Sequence, residues 1–318
     1  MGLNMNRDKV TVLLPVYNCE SYVDECIKSI RDQTYKNLEI LIINDGSNDG
    51  SEHIILKHAK QDERIIYIHQ PNRGLIETLN YGLDIATGKY IARIDADDVC
   101  LPNRIESQYL HMEATKADIC GGNYYEINDS GDIIRKRFVP FDRVCMELSL
   151  VSRVPFAHPT VMFRNSFLIE NNVRYRKNAN VYAEDLELWC RLKNLGASFS
   201  NTKDFLIKYR VLNTSLSRLN KQKIFFDSMR FTTEYYIKHH EYLLGLLLNE
   251  GMAASLNPEE EEIVLSFIYK EILFKHNLSV LYLLRKFKFK QAIKSLLREL
   301  KHYKYRKVII GVTSESIL

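Results

Sequence analysis

The first hundred residues alternate four short apolar runs with three segments of helical periodicity, and this alternation limits the fold more than any other feature. Val10–Leu14, Leu38–Ile43, Ile65–His69 and the run that begins at Tyr90 read as strands. Between them Val23, Cys26, Ile27 and Ile30 fall at helical spacing, and further helices are expected from Gly50 to Lys60 and from Leu75 to Ala86. Asn18 is a candidate N-cap for the first helix, and Gly88 a candidate stop for the third. A β-α-β-α-β-α-β order with short connections predicts an α/β fold built on a doubly wound, mostly parallel sheet. Val10–Leu14 is apolar on both faces, as a central parallel strand should be.

Three of the strands run into polar, turn-forming sequence: Pro15-Val16-Tyr17-Asn18, Asn44-Asp45-Gly46-Ser47 and Asp95-Ala96-Asp97-Asp98. In a parallel sheet these ends meet on one rim, and that rim is where open α/β sheets bind ligands. Asp95 and Asp97 can face one ligand if the strand has already turned into a loop. Carboxylate oxygens suit a hard divalent cation that also holds phosphate oxygens, as Mg²⁺ or Mn²⁺ does. Taken alone, the same motif is weak and more often is a solvated acidic loop capping the next helix. The G-x-G-x-x-G and G-x-x-x-x-G-K-[ST] patterns are missing after the first strand, which argues against dinucleotide and P-loop chemistry.

The second half is less regular. Pro102 to Ala114 reads as a helix, Asp118 to Glu126 as a strand, and Asn128-Asp129-Ser130-Gly131 as a hairpin turn into Ile133–Phe138. Phe156 to Arg164 holds a strand preceded by a His158-Pro159 corner. Tyr182 to Leu192 reads as a helix with Glu184 and Asp185 in its first turn and Leu188, Trp189 and Leu192 on its buried stripe. The 318 residues, 46% apolar and 26% charged, suffice for one large domain and an appendage. Six scattered cysteines without a C-x-x-C pair point to a reduced compartment. Met1–Lys9 has no apolar leader segment, and no run reaches the ~18 apolar residues of a membrane span, so a cytoplasmic location is expected.

Leu14-Pro15-Val16-Tyr17-Asn18, Asn44-Asp45-Gly46-Ser47, Asn72-Arg73-Gly74, Asp95-Ala96-Asp97-Asp98 and Glu184-Asp185 together resemble, in order and spacing, the motifs of family 2 inverting glycosyltransferases, whose fold is called GT-A. The match covers about residues 8–215. The segment His158 to Arg164 is similar to bacterial enzymes that extend O-antigen, capsule or lipooligosaccharide chains with galactose, glucose or N-acetylhexosamine. The resemblance implies a UDP-sugar donor, with Pro15, Tyr17, Asp45 and Arg73 on the nucleotide side. It implies Asp95 at the ribose or uridine, Asp97 as ligand to Mn²⁺ or Mg²⁺, and Asp185 as the general base for an acceptor hydroxyl. His158 and Glu184 are candidates for the acceptor or diphosphate site.

Each residue also has a plainer reading. Asp45 can start a turn, Arg73 can be a solvated loop charge, and His158 can be a hydrogen-bonded corner. Asp185 and Glu184 can be acids that suit a helix N-terminus. The motif and membrane helices of processive family members are missing, and Tyr209-Arg210 followed by Ser215 and Ser217 is similar to the non-processive pattern, so one sugar per encounter is expected.

From Leu216 the resemblance fades and the chain reads as helical, which gives a catalytic domain at 1–215 and a helical, basic region at 216–318. Leu281 to Lys307 interleaves ten basic residues, among them Arg285, Lys286, Lys288, Lys290, Lys304, Arg306 and Lys307, with apolar ones, and Glu299 is its only acid. This suits contact with an anionic membrane surface, as a peripheral protein on the inner face, or a basic face on a packed helix. The expected acceptor is a glycan or a polyprenyl-diphosphate-linked sugar, and no recognised module supports nucleic acid. Two alternatives stand beside the transferase. One is a nucleotidyltransferase, which the missing glycine-rich basic first loop disfavours. The other is a non-catalytic nucleotide-sugar-binding subunit of a polysaccharide assembly complex.

Overall fold

The structure, a computed structural model, describes residues 8–177, 181–212, 215–250, 255–277, 279–280, 283–284, 287 and 292–303. Met1–Arg7, where no leader was read, lie outside them, as do Arg285, Lys286, Lys288, Phe289, Lys290, Lys304, Arg306 and Lys307 of the basic stretch. The chain forms two compact units. The first comprises residues 1–137, 156–179 and 192–215; the second comprises 138–155, 180–191 and 216–318.

In the first unit the expected alternation is present: β1 (Val10–Val16), α1 (Val23–Arg31), β2 (Leu38–Asn44), α2 (Ser51–Ala59), β3 (Ile65–His69), α3 (Leu75–Ile85) and β4 (Tyr90–Arg93). β5 (Val99–Cys100), α4 (Arg104–Thr115), β6 (Ile119–Ile127), β7 (Ile133–Arg137), β8 (Met162–Arg164) and β9 (Phe199–Arg210) follow. The sheet order is β3-β2-β1-β4-β8-β6-β9-β5, with β7 on β6. β1 pairs β2 and β4 in parallel, and β2 pairs β3 in parallel. β8 enters antiparallel against both β4 and β6, so the parallel run stops at the strand that carries the acids. Every residue of β1 and of β2 is buried, which is the reason their sequences are mostly apolar on both faces, and the buried Thr11 hydroxyl donates to Glu39 Oε1 at 2.6 Å. α1 buries Val23, Cys26, Ile27 and Ile30 against this sheet, a stripe in which each large aliphatic contributes about 1.5–3 kcal/mol.

Two punctuation marks sit elsewhere than expected. Asn18 does not cap α1; the N-cap position belongs to Tyr22, and Asn18 adopts a left-handed φ of 48° in the preceding loop. Asparagine serves both roles because its short side chain satisfies nearby backbone in either conformation. Gly88 does not end α3, whose C-cap is Ala86. It is small because β1 passes close by: a Cβ there would lie 2.5 Å from Thr11 N.

The second unit is helical: α5 (Arg143–Ser149), the opening turns of α7 (Glu184–Asn194), α9 (Lys221–Asn249), α10 (Pro258–Lys275) and residues 292–303. α6 (Asn165–Glu170) belongs to the first unit, and α8 (Leu216–Leu219) leads into α9. Asn257 and Glu260 form a capping box at the start of α10, and Glu260 Oε1 also accepts from Phe141 N at 2.7 Å and Asp142 N at 2.8 Å. Residues 292–303 bury Ala292, Ser295 and Glu299 and expose Ile293, Leu297 and Leu300 on another face. No helix among the described residues is long and apolar enough to cross a membrane.

Candidate active site

The parallel arrangement brings the ends of β1, β2 and β4 to one rim, as their sequences predict. The loops after β1 and β2 are stitched together. Asp45 N donates to Val16 O (2.8 Å), Asn18 N to Ser47 Oγ (3.0 Å), Asn48 N to Asn18 Oδ1 (2.8 Å) and Gly50 N to Glu20 Oε2 (2.6 Å). Pro15 is buried within β1 opposite Ile43, whereas Tyr17 projects from the rim 49% exposed.

Asp45 is buried, and its carboxylate clasps the segment after β3. Oδ1 accepts from Gln70 Nε2 (2.7 Å) and Arg73 N (2.8 Å), and Oδ2 accepts from Gly74 N (2.8 Å). Gln70 also donates to Thr78 Oγ1 at 2.9 Å. The clasp needs Gly46, whose φ is +72° and where a Cβ would fall 2.7 Å from Asn72 N. The side chain of Arg73 is exposed; what the structure fixes is its amide.

After β4 the three carboxylates gather. Oxygens of Asp95, Asp97 and Asp98 lie within 4.8 Å of one another. Burial, then repulsion from Asp95, pushes Asp97 up to about 6. Burial, then Asp97, holds Asp98 well above the usual carboxylate range. Asp98 Oδ1 accepts from Arg210 N at 2.8 Å, while its buried Oδ2 has no hydrogen-bond partner among the described residues. Crowded, partly dehydrated carboxylates with an uncommitted oxygen are a donor set that a hard divalent cation fits, since the cation removes the repulsion that raises them. Tyr209 lies near the same acids, its phenol raised by burial and then by Asp98, Asp95 and Asp97.

Arg210 ties this loop to its surroundings. Its Nε donates to Asp97 O (2.9 Å), Nη1 to Asp129 O (2.7 Å) and Nη2 to Glu25 Oε2 (2.8 Å), and the guanidinium lies 4.8 Å from the Tyr22 ring centroid. Tyr22 in turn donates to Asp129. The sequence marked Arg210 only as part of a pattern. Gln70, Arg93 and Asp98 carried no individual reading, although a charged residue inside the apolar run Tyr90–Ile94 is a signal for a buried ion pair.

His158 Nε2 lies 2.7 Å from Tyr175 Oη, and Tyr175 is held at both its N and O by Asn80 (2.7 and 2.8 Å). Burial, then the charge of Arg93, pushes His158 well below the usual histidine range, so the ring is neutral. Glu184 and Asp185 open α7 in the second unit, where Asp185 Oδ1 accepts from Leu186 N at 2.7 Å and Trp189 is fully buried one turn on.

Residues 11–171 match the family model described as glycosyl transferase family 2. The chain is similar to glycosyltransferase GlyA of Streptococcus pneumoniae serotype 4, 45% identical over 123 residues, which is 39% of this chain but only 18% of GlyA. It is 31% identical over 214 residues to the O-antigen biosynthesis glycosyltransferase WbnJ of Escherichia coli, covering 66% of this chain and 83% of WbnJ. Staphylococcus aureus TarS 1-349 in complex with UDP-GlcNAc shares the fold with a TM-score of 0.57 at 19% identity, over 91% of this chain and 79% of that one. The mannosyltransferase PcManGT of Pyrobaculum calidifontis, in complex with GDP-Man and Mn²⁺, does so with a TM-score of 0.54 at 14% identity, over 92% and 87%.

Proposed function

The chain belongs to glycosyl transferase family 2, and we propose that it moves a hexose from a UDP-sugar to a hydroxyl of a glycan or lipid-linked acceptor. The product would be a bacterial surface polysaccharide of the O-antigen or capsule kind. The observation that carries this reading is the rim itself. A carboxylate triad with an uncommitted buried oxygen shares the rim with loops stitched together by hydrogen bonds. The UDP-GlcNAc bound to TarS and the GDP-Man and Mn²⁺ bound to PcManGT support a nucleotide-sugar and a divalent metal for this chain as well.

Asp97, with Asp98 beside it, would hold Mn²⁺ or Mg²⁺, which when bound supplies Lewis-acid stabilisation of the departing UDP. Tyr17 offers an exposed ring to the base, Pro15 shapes the floor of β1, and Asp45 orders the Arg73-Gly74 segment toward the nucleotide. Asp95 addresses the ribose. Asp185 takes the proton of the acceptor hydroxyl as that oxygen attacks C1 opposite UDP, so one displacement inverts the anomeric centre. His158 and Glu184 serve the acceptor or diphosphate; a neutral imidazole suits a hydroxyl partner. The Asp185 role rests on its motif, and one sugar is transferred per encounter.

We assign catalysis to 1–215 and acceptor or membrane association to 216–318. The exposed Ile293, Leu297 and Leu300, interspersed with Lys294, Arg298 and Lys301, support a helix face for an anionic membrane surface. The protein would then work at the cytoplasmic side of the membrane.

The test is UDP release with Mn²⁺ across a panel of UDP-sugars, with EDTA and Asp97→Ala as controls and Asp185→Asn as the base variant. One donor should turn over, both controls should abolish it, and Asp185→Asn should lose turnover while still binding UDP. UDP that fails to bind with metal present refutes the reading. UDP binding with no turnover in any donor and acceptor combination favours a non-catalytic binding subunit.

A further inference from the structure

Arg93 is the last residue of β4 and one of the most enclosed cations in the first unit, its side chain 4% exposed. Its own backbone is fixed: N donates to Val161 O (3.0 Å) and O accepts from Arg104 Nη2 (2.6 Å). Both terminal nitrogens go to one carboxylate. Nη1 donates to Asp95 Oδ2 at 2.8 Å and Nη2 to Asp95 Oδ1. Nε has no hydrogen-bond partner among the described residues. Asp95 sits two residues on, and its side chain is 30% exposed. Both oxygens of this carboxylate are gripped from inside, and the side chain stays partly exposed.

We propose that Arg93 is a positioning residue that divides the labour of the three acids. It commits Asp95 as a pre-oriented acceptor for the donor's ribose hydroxyls and leaves Asp97 and Asp98 for the cation. The inference rests on the proposed donor site. A fork-shaped guanidinium fixes a carboxylate in orientation as well as charge, which an ammonium cannot do. Held at both oxygens by one guanidinium, Asp95 is less available than Asp97 and Asp98 as a ligand to the cation. The pairing leaves Asp98 Oδ2 uncommitted, although Arg93 still has an unused N–H nearby.

The experiment is a double-mutant cycle in UDP affinity, measured by calorimetry in saturating Mn²⁺, for wild type, Arg93→Met, Asp95→Asn and the double variant. If Arg93 acts through Asp95, Arg93→Met weakens UDP about tenfold in the wild-type background and less than twofold when Asp95 is already Asn. The same cycle with Arg93→Lys covers the case in which methionine prevents folding; lysine keeps the charge, loses the fork and should give a smaller loss that again vanishes with Asp95→Asn. Losses of equal size in both backgrounds would mean that Arg93 merely supports the fold, and would overturn the inference alone. A folded wild-type protein that binds no UDP would overturn the functional reading, and this inference with it.

Discussion

Replacing Asp45 by Asn tests the clasp that orders the loop after β3, on the proposed nucleotide side of the rim. The carboxylate accepts three hydrogen bonds, two at Oδ1 and one at Oδ2. An asparagine that keeps its carbonyl at the Oδ1 position retains the Gln70 and Arg73 bonds but turns them from charged to neutral, a loss of about 1 kcal/mol each. Its amide then meets Gly74 N–H, donor against donor, and the third bond is lost, about 1 kcal/mol more. Relief from burying a charge offsets part of this, which leaves a net cost of about 2 kcal/mol, or about 30-fold in a local equilibrium. Amide hydrogen exchange reads it directly. Exchange at Arg73 and Gly74 should accelerate about 30-fold, and UDP affinity should fall with it. Unchanged exchange at those two amides, in a folded Asp45→Asn protein, would refute the claim that Asp45 holds the loop.

Three further outcomes follow from single contacts. Gly46→Ala should cost about 2 kcal/mol in urea unfolding, because φ is +72° and the new Cβ meets Asn72 N, which is backbone and cannot swing away. Asp62 is held down to about 2, first by its hydrogen bond from Arg64. Because that value lies below the usual carboxylate value of the unfolded chain, its contribution is in place above about pH 4 and is lost as pH falls toward 2. Asp62→Asn should therefore lower stability by about 1–2 kcal/mol at pH 7 and flatten the acid limb of the stability–pH curve. In the second unit Lys270 is fully buried, with Nζ 2.6 Å from Ser266 Oγ and 3.3 Å from Glu299 Oε2. Lys270→Met should destabilise by about 3 kcal/mol, and adding Glu299→Leu should recover most of that, by thermal unfolding.

The alternation of elements was legible because a buried parallel strand must be apolar on both faces and an amphipathic helix must repeat near 3.6 residues. Asp45, Asp95 and Asp97 were legible because polar residues at the ends of such strands have only the rim to go to. What holds them was mostly not. Arg210 meets Glu25, Asp97 and Asp129, partners 185, 113 and 81 residues away, and no local pattern encodes that. Asn18 and Gly88 were misplaced because asparagine and glycine each answer to two needs, and the sequence does not say which one a site has. Arg93 was within reach: a charge in a buried strand requires an acid on the same face, and Asp95 stands two residues on.

Burial bears on the two readings of Asp-x-Asp-Asp and supports the proposed one. A loop that only capped the following helix would leave its carboxylates in water, where their cost is small and their affinities are ordinary. Instead Asp98 is 1% exposed, and Asp97 is raised to about 6 by burial and by its neighbour. Arg93 and Arg210 relieve part of this, the first at the Asp95 carboxylate and the second through its Nε on the Asp97 carbonyl and its backbone N–H on the Asp98 carboxylate. Neither arginine removes the repulsion itself. The chain therefore holds, at the carboxyl edge of its sheet, a concentration of negative charge that the cation of the proposed function would relieve.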